Sequence, residues 1–521
     1  MGRREGLNFI GGESPVSIAG CNISVRPNLP SLSRKMSEYD NFSTFVSVHH
    51  LNICMGWSKT KTFLINLENE NKDKKIFAAI DFGTRYSRYA CGFITKDELE
   101  SNTEYISKLH WLTDKHEKEW LYKAPMSVLF RPDKTFHSFG YEANYYYRNN
   151  SGGIDFKDWY FFEQVQIKLD THKDKLTQET IIGDSRKNGS YMKALDVFAS
   201  IIHYLKYRLL NILNKGKNDE QQRYTNFDIH WVLTLPDISD LNTKIVMKDA
   251  ATKAGISDDQ LTFALKPDAV SLYCLEYLLS SETTQTDRKC FTALPQGFQF
   301  ILYDQGEDTT DITVLEVTGK KELRKIYQAR EEHLGGNLVN SEFLQFLSTL
   351  FSGPVVHEIF TKYPSDYSQI LTTFENIHIP LGARDSTMLI IRIPDVWLQV
   401  FETLTGGTLQ EVVPCTSYRG SIVINRDSLC ITYRIYCRFF NNLTDSVVKV
   451  INGLVKNVKI PSVANINTLI AVGNFSKSNI IARSIRKKFR NVAVIVPKNA
   501  EIVVLKGAIL CGFQPHSTVE K

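Results

Sequence analysis

The chain has 521 residues, 43% of them hydrophobic and 23% charged, with 62 Lys and Arg against 57 Asp and Glu for a formal charge of +5. A single core stops growing near roughly 250–300 residues, so this length points to two lobes, and so small and dispersed a charge excess gives no reason to expect nucleic acid as a partner. Nine cysteines without a CxxC pair read as reduced thiols of an intracellular, cytoplasmic protein rather than as a zinc site or disulfide framework.

The amino end, MGRREGLNFIGGESPVS, has no apolar core of a leader, and Gly6 stands where a myristoylation signal takes Ser or Thr. Residues 1–73 mix Gly, Ser, Asn and Pro without a period and run into the polar stretch NLENENKDKK, the composition of a disordered extension. The sequons at Asn41 and Asn442 carry no weight without the secretory route. No later run approaches about 18 apolar residues, so no membrane span is expected.

Folding is expected from residue 74. IFAAI (Ile76–Ile80) enters DFGT and SRYACGF follows, a hairpin with an Asp-x-Gly turn. The aromatics Tyr145–Tyr147 and Trp159–Phe162 read as core or interface rather than as a stacking surface. KALDVFASIIHYLKYRLLNIL sets Leu195, Phe198, Ile201, Ile202, Leu205, Leu209 and Leu213 on one helical face. WVLTLP (Trp231–Pro236) reads as a buried strand, TKIVMKDAATKAG as a helix stopped by Gly255, and Pro267 opens the next helix. FQFILYDQG (Phe298–Gly306) and DITVLEV (Asp311–Val317) then repeat the hairpin plan, a sign of two related half-domains. INTLIAVGNFSKSNIIARSIRKKF reads as strand, glycine turn, and a helix capped by Ser476 or Ser478, with Arg483–Arg490 as its solvated face. EIVVLKGAILCGF closes the chain. His333 reads as a turn residue; His49, His50 and His230 lack partners at ligand spacing. Strands alternating with helices make an α/β protein.

The two turns carry the chemistry. Glycine lets a backbone approach closely, successive N–H groups then form an anion cradle, and an Asp at the strand end can hold the waters of a Mg²⁺ ion. Asp81, Gly83 and Thr84 have this pattern, as do Asp304, Gly306, Thr309 and Asp311. The second turn also carries Glu307 and Asp308, two acids where a phosphate would sit. A non-glycine residue forced left-handed costs roughly 1–2 kcal/mol, and a like charge about 4 Å away costs roughly 4 kcal/mol at an effective dielectric near 20. Even about 3 kcal/mol is more than a hundredfold in affinity.

The order DFGT, TLP, KPDAVSLY, DxGxxTTD, HLGG, AVGxFSxS resembles the actin-like ATPase superfamily, and within it the heat-shock 70 proteins of the heat shock 70 kDa protein 12A/12B-like group. IDFGTRYSRYACGF, SFGYEA, WYFFEQVQIKL, WVLTLPDISD, LKPDAVSLYC, IRIPDVW and VVLKGAILCGF carry the likeness, from Lys75 to Pro515. The resemblance implies a two-lobed actin-like (ribonuclease H-like) fold with a duplicated half-domain, lobe I over 74–290, lobe II over 291–500, and a helix at 501–515 returning to lobe I. It implies Mg²⁺ with ATP or ADP at the base of the cleft. No peptide-binding domain is expected, since only STVEK follows His516 and an EEVD-type tail is missing.

Carried over position by position, the resemblance makes Asp81 and Asp304 the metal-associated aspartates, and Asp311, Thr84 and Lys168 the catalytic candidates. Gly83, Thr84, Gly306, Thr309, Gly335, Gly336, Glu375, Gly473 and Ser476 line the nucleotide. Several positions depart from the pattern: Arg85 for a threonine, Lys266 for a glutamate, Glu307 and Asp308 for glycines, Asn474 for a glycine, and His378 and Ile379 for basic residues. Lys266 or Arg85 is expected to pair with Glu307 or Asp308 in place of metal and phosphate charge. The function expected is a nucleotide-binding protein with weak or absent ATP hydrolysis, chaperone-like or a scaffold for unidentified protein partners. An active Mg²⁺-dependent ATPase using Asp81, Asp304 and Asp311 is the alternative, and a sugar kinase a more distant one.

Overall fold

The computed structural model describes residues 75–94, 123–150, 156–165, 176–185, 190–215, 223–236, 241–279, 295–319, 322–375, 382–455, 466–473, 475–497 and 499–513, with short segments at 17–18, 21–22, 104–106, 109–112, 118–121 and 519–520 and the single residues 217, 377 and 379. The described residues divide into two compact units, those within Lys61–Leu338 and Asn442–Lys521 and those within Met1–Thr60 and Val339–Asn441.

The larger unit is built on two six-stranded mixed sheets of one plan. In the first, β1 (Lys75–Phe82) turns into antiparallel β2 (Tyr86–Ile94), while β3 (Ile229–Leu235) lies parallel to β1 on its other side and β4 (Leu261–Leu265) parallel to β3. In the second, β5 (Gln299–Gln305) turns into antiparallel β6 (Thr309–Gly319), which pairs with β7 (Glu322–Glu332). Parallel to β5 runs β8 (Thr468–Val472), and beside it β9 (Ala493–Ile495).

Side chains alternate across a strand, and β1 uses both faces. Ile76, Ala78, Ile80 and Phe82 pack with α1 (Ala194–Leu213) and α2 (Leu241–Lys253), whereas Phe77 and Ala79 join α6 (Val503–Phe513) on the other face. A strand covered on both sides reads as an apolar run, which IFAAI is. Of the expected α1 stripe, Phe198, Ile201, Ile202, Leu205, Leu209 and Leu213 are buried and Leu195 is half-buried. Burying a large apolar side chain contributes about 1.5–3 kcal/mol each, so this stripe is a main support of the first sheet. Gly255 has φ +82° and Ile256 N–H reaches back to the Ala251 carbonyl at 3.0 Å, the left-handed stop expected after α2.

Two further helices place the site. α3 (Lys266–Leu279) starts at the residue after β4, and α4 (Asn337–Phe351) starts directly after the Gly335–Gly336 pair. α6 lies backbone to backbone on α3: a Cβ at Gly507 would stand 1.8 Å from the Ala269 carbonyl oxygen. The aromatics Phe161 and Phe162 are buried, and half-buried Tyr147 stacks on Phe161 at 4.2 Å, while Tyr145, Tyr146, Trp159 and Tyr160 are half-buried.

Within the smaller unit, strands Met388–Arg392 and Ile422–Asn425 flank the antiparallel strand Ser428–Thr432. Leu389, Ile391, Leu429 and Ile431 form its buried face, while Met388, Ile390 and Val423 are exposed on the other. Helices Pro364–Glu375 and Asp395–Thr405 pack there through Phe374 on Phe343 at 4.0 Å and Trp397 on Phe351 at 5.2 Å. Among the described residues no helix is long and apolar enough to cross a membrane.

Candidate functional site

The parallel registers Ile80↔Leu233 and Leu235↔Leu265 bring the carboxyl ends of β1, β3 and β4 side by side. Asp81, Thr234 and Lys266 therefore meet, although the sequence scatters them. Thr234 donates its hydroxyl to Asp81 Oδ1 at 2.7 Å, and Lys266 Nζ lies 2.9 Å from the same oxygen. The ammonium also donates to the Phe82 carbonyl at 2.5 Å. Arg88 faces Asp81 across the β1–β2 hairpin. Burial pushes the Asp81 carboxyl up, but Lys266, Arg88 and the Thr234 hydroxyl outweigh it and hold the group below its ordinary value. Gly83 makes the turn possible: its N–H donates to the Tyr86 carbonyl at 3.0 Å, and a Cβ there would stand 2.4 Å from that oxygen.

In the second turn, Gly306 N–H donates to the Thr309 carbonyl at 2.9 Å. The two acids that follow are both engaged within the protein. Glu307 is buried, its carboxylate 2.9 Å from Lys123 Nζ, which also lies over the Tyr86 ring at 3.8 Å. Asp308 accepts from the Thr84 hydroxyl at 2.7 Å and from Asn337 Nδ2, and its Oδ1 is 3.6 Å from Arg85 Nε. Gly335 and Gly336 bring Asn337 against the turn. Gly336 N–H donates to the Gly306 carbonyl at 3.2 Å and Asn337 N–H to the Glu307 carbonyl at 2.8 Å. A Cβ at Gly335 would be 2.4 Å from the Glu307 carbonyl oxygen, and one at Gly336 would enter the Phe475 ring.

Of the two cations expected to pair with Glu307 or Asp308, Arg85 is the one that does. Arg85 does meet Asp308, but Lys266 meets neither Glu307 nor Asp308, because its place at the end of β4 sets it beside Asp81. Lys123 takes Glu307 instead.

Asp304 and Asp311 are direct partners across β5 and β6. Burial first, then the Asp311 charge, raise the Asp304 carboxyl to about 7 against the opposing pull of Lys266 and Arg88. Asp311 lies 4.0 Å from Arg330 Nε. Gly473, at φ +89°, closes on this pair: a Cβ would stand 2.3 Å from the Gln305 carbonyl oxygen and 2.6 Å from Asp304 Oδ1. Ser476 donates to the Gly473 carbonyl at 2.8 Å, so it ties the turn rather than capping a helix. Ser478 holds the cap position of α5 (Asn479–Lys488) without a side-chain bond to it. Lys168 and Asn474 lie outside the described residues. Glu375 belongs to the smaller unit, where it accepts from Asn340 Nδ2 at 2.7 Å.

A divalent cation at Asp81 would have to share the carboxylate with the Lys266 ammonium. Asp81 Oδ1 already bonds an ammonium and a hydroxyl, and a double charge about 4 Å from that ammonium meets a repulsion of roughly 8 kcal/mol at an effective dielectric near 20, which offsets the attraction of the carboxylate. Among the described residues no group of three or more His, Cys, Asp or Glu side chains forms a metal cage.

No protein-family model matches the chain. Curated proteins do. The chain is 25% identical over 526 aligned positions to the heat shock 70 kDa protein 12A of Mus musculus, covering 90% of this chain and 72% of that protein. Against the Homo sapiens 12A protein the figures are 24% over 506 positions, 86% and 70%. The Homo sapiens heat shock 70 kDa protein 12B gives 26% over 491, 84% and 69%. The resemblance is to the 12A/12B group of heat-shock 70 proteins.

The Asp81 and Asp304 turns each have this chain's own charges packed into them, Lys266 on Asp81 and Lys123 and Arg85 on the two acids that follow Gly306. Sequence reasoning missed Lys123, Thr234, Asn337 and Arg330. Thr234 could have been found, since it stands at the end of the buried strand WVLTLP. Lys123 has no local signal at all: it precedes the short strand Ala124–Pro125, and only the pairing of that strand with β2 carries it to the turn.

Proposed function

We propose that this chain is a heat-shock-70-like protein-binding module, chaperone-like or a scaffold, built on a nucleotide-binding fold whose ATP hydrolysis is weak or absent. The observation that carries the reading is the Lys266 ammonium on Asp81, a fixed monovalent charge where the family resemblance implies hydrated Mg²⁺. The shared strand plan of the two sheets supports a duplicated half-domain, read as lobe I over about 74–290 and lobe II over about 291–500. Asp81, Gly83, Thr84, Asp304, Gly306, Thr309, Gly473 and Ser476 would then be the remains of the ATP or ADP site, and Asp311 the remains of the group that oriented water. What is left is a folded platform whose outer surface binds protein partners in the cytoplasm.

Calorimetry of the full chain with ATP and ADP, each with and without Mg²⁺, together with a phosphate-release assay, tests this. The expected result is no release above background and no Mg²⁺-dependent heat. Mg²⁺-dependent release that disappears in Asp311→Asn would overturn the reading in favour of an active ATPase using Asp81, Asp304 and Asp311.

A further inference from the structure

The Asp308 carboxylate is held by groups that suit a larger anion. Thr84 supplies a hydroxyl at 2.7 Å, Asn337 a side-chain amide, and Arg85 a guanidinium whose Nε stands 3.6 Å from Oδ1. Arg85 Nε is buried and makes no hydrogen bond. The Asp308 carboxylate stands too far away to bond that donor, whereas a tetrahedral oxyanion reaches out in two further directions and can present an oxygen to it. These three donors come from two segments remote in sequence, the β1–β2 turn and the start of α4, so whatever anion they share also fastens one to the other.

We propose that Asp308 is a tethered oxyanion: it fills a latent phosphate-class site formed by Thr84, Arg85 and Asn337, and in doing so locks the β1–β2 turn to the Gly335–Asn337 segment without a ligand. The proposal rests on reading these turns as former phosphate loops. It adds that the cradle itself is intact and opens to free phosphate when the carboxylate is removed. Its charge explains why Asp308 is tolerated in a turn where an acid would repel a bound nucleotide. Arg85 stands in the place of a threonine for the same reason: a carboxylate fixed at that point needs a cation beside it.

The test uses the full chain and inorganic phosphate as the probe. Thermal melting is followed in phosphate and in chloride at matched ionic strength for the parent, Asp308→Ala, and Asp308→Ala combined with Arg85→Ala. The parent should respond to phosphate no more than to chloride. Asp308→Ala should melt lower in chloride and recover with phosphate, which it should bind at least about tenfold more tightly than the parent does, as charge-assisted hydrogen bonds to the emptied donors imply. The double variant should lose the recovery. Equal phosphate response in parent and single variant, or no response in the single variant, overturns the proposal. Should Asp308→Ala fail to fold in chloride, its refolding yield in phosphate reads the same quantity, rescue supporting the proposal and no rescue overturning it. Phosphate release from ATP by the parent would sink the non-hydrolysing reading alone, because the melting experiment contains no nucleotide.

Discussion

Lys266 and Asp81 form an ion pair of 2.9 Å between the first residue of α3 and the last turn-facing acid of β1, with the lysine also bonded to the Phe82 carbonyl. Removing one partner of a buried pair leaves the other charge without compensation, which typically costs about 3–5 kcal/mol. Arg88 and Thr234 remain beside Asp81, so Lys266→Met should fall at the low end, about 3 kcal/mol by urea unfolding. Lys266→Glu should cost more, and added Mg²⁺ should return part of the loss in that variant only. A parent whose unfolding midpoint rises with Mg²⁺ would contradict the account.

The two buried aspartates respond to pH in opposite senses. Asp304 sits at about 7 in the folded protein against an ordinary 3.8. Between those values the folded state holds a proton that the unfolded chain has released, so stability from this group falls as pH rises, by at most about 1.4 kcal/mol per pH unit. Asp81, held below its ordinary value, contributes stability at higher pH that is lost only as pH drops through its folded value. Asp304→Asn should therefore flatten the slope of unfolding free energy between about pH 5 and 7 and raise stability at about pH 8. An unchanged slope would show that Asp304 is not the group protonated in that window.

Gly473 and Gly453 separate close approach from helix propensity. At Gly473 an added methyl would meet the Gln305 carbonyl oxygen at 2.3 Å at a φ of +89°, whereas at Gly453, in the helix Asn441–Val455, it would meet nothing within 4 Å. Gly473→Ala should destabilise by about 2–4 kcal/mol from strain and overpacking together. Gly453→Ala should stabilise by about 0.5–1 kcal/mol, as it does in an exposed helix interior. Thermal melts of the two variants check both signs.

Much of the larger unit was legible because its signals are local. The apolar runs of β1 and β5, the Asp-x-Gly turns, the α1 stripe, Gly255 and Pro267 each act within a few residues of themselves. The partners of the charged residues were not legible, since they depend on which strand ends lie adjacent. Lys266 reaches Asp81 through two parallel registers, Ile80↔Leu233 and Leu235↔Leu265, that no stretch of sequence displays. The antiparallel sheet of the smaller unit escaped for a different reason. Its strands are five residues or fewer and two of them expose apolar residues, Met388, Ile390 and Val423, that blur the period-two signal.

Lys123 and Glu307 offer the sharpest test of whether the acids of the second turn are structural. Their side chains are 22% and 6% exposed and lie 2.9 Å apart, so the pair is largely desolvated. Lys123→Met alone should destabilise by about 1–3 kcal/mol, because it withdraws the ammonium from a buried carboxylate. Glu307→Gln alone should cost a similar amount, since the ammonium loses its counter-charge but keeps its place over Tyr86. The double variant should lose less than the sum, leaving a coupling of about 1 kcal/mol or more in a double-mutant cycle. Additive losses would mean that Lys123 and Glu307 are merely neighbours, and that Glu307 is held in the turn by its backbone bond to Asn337 rather than by charge.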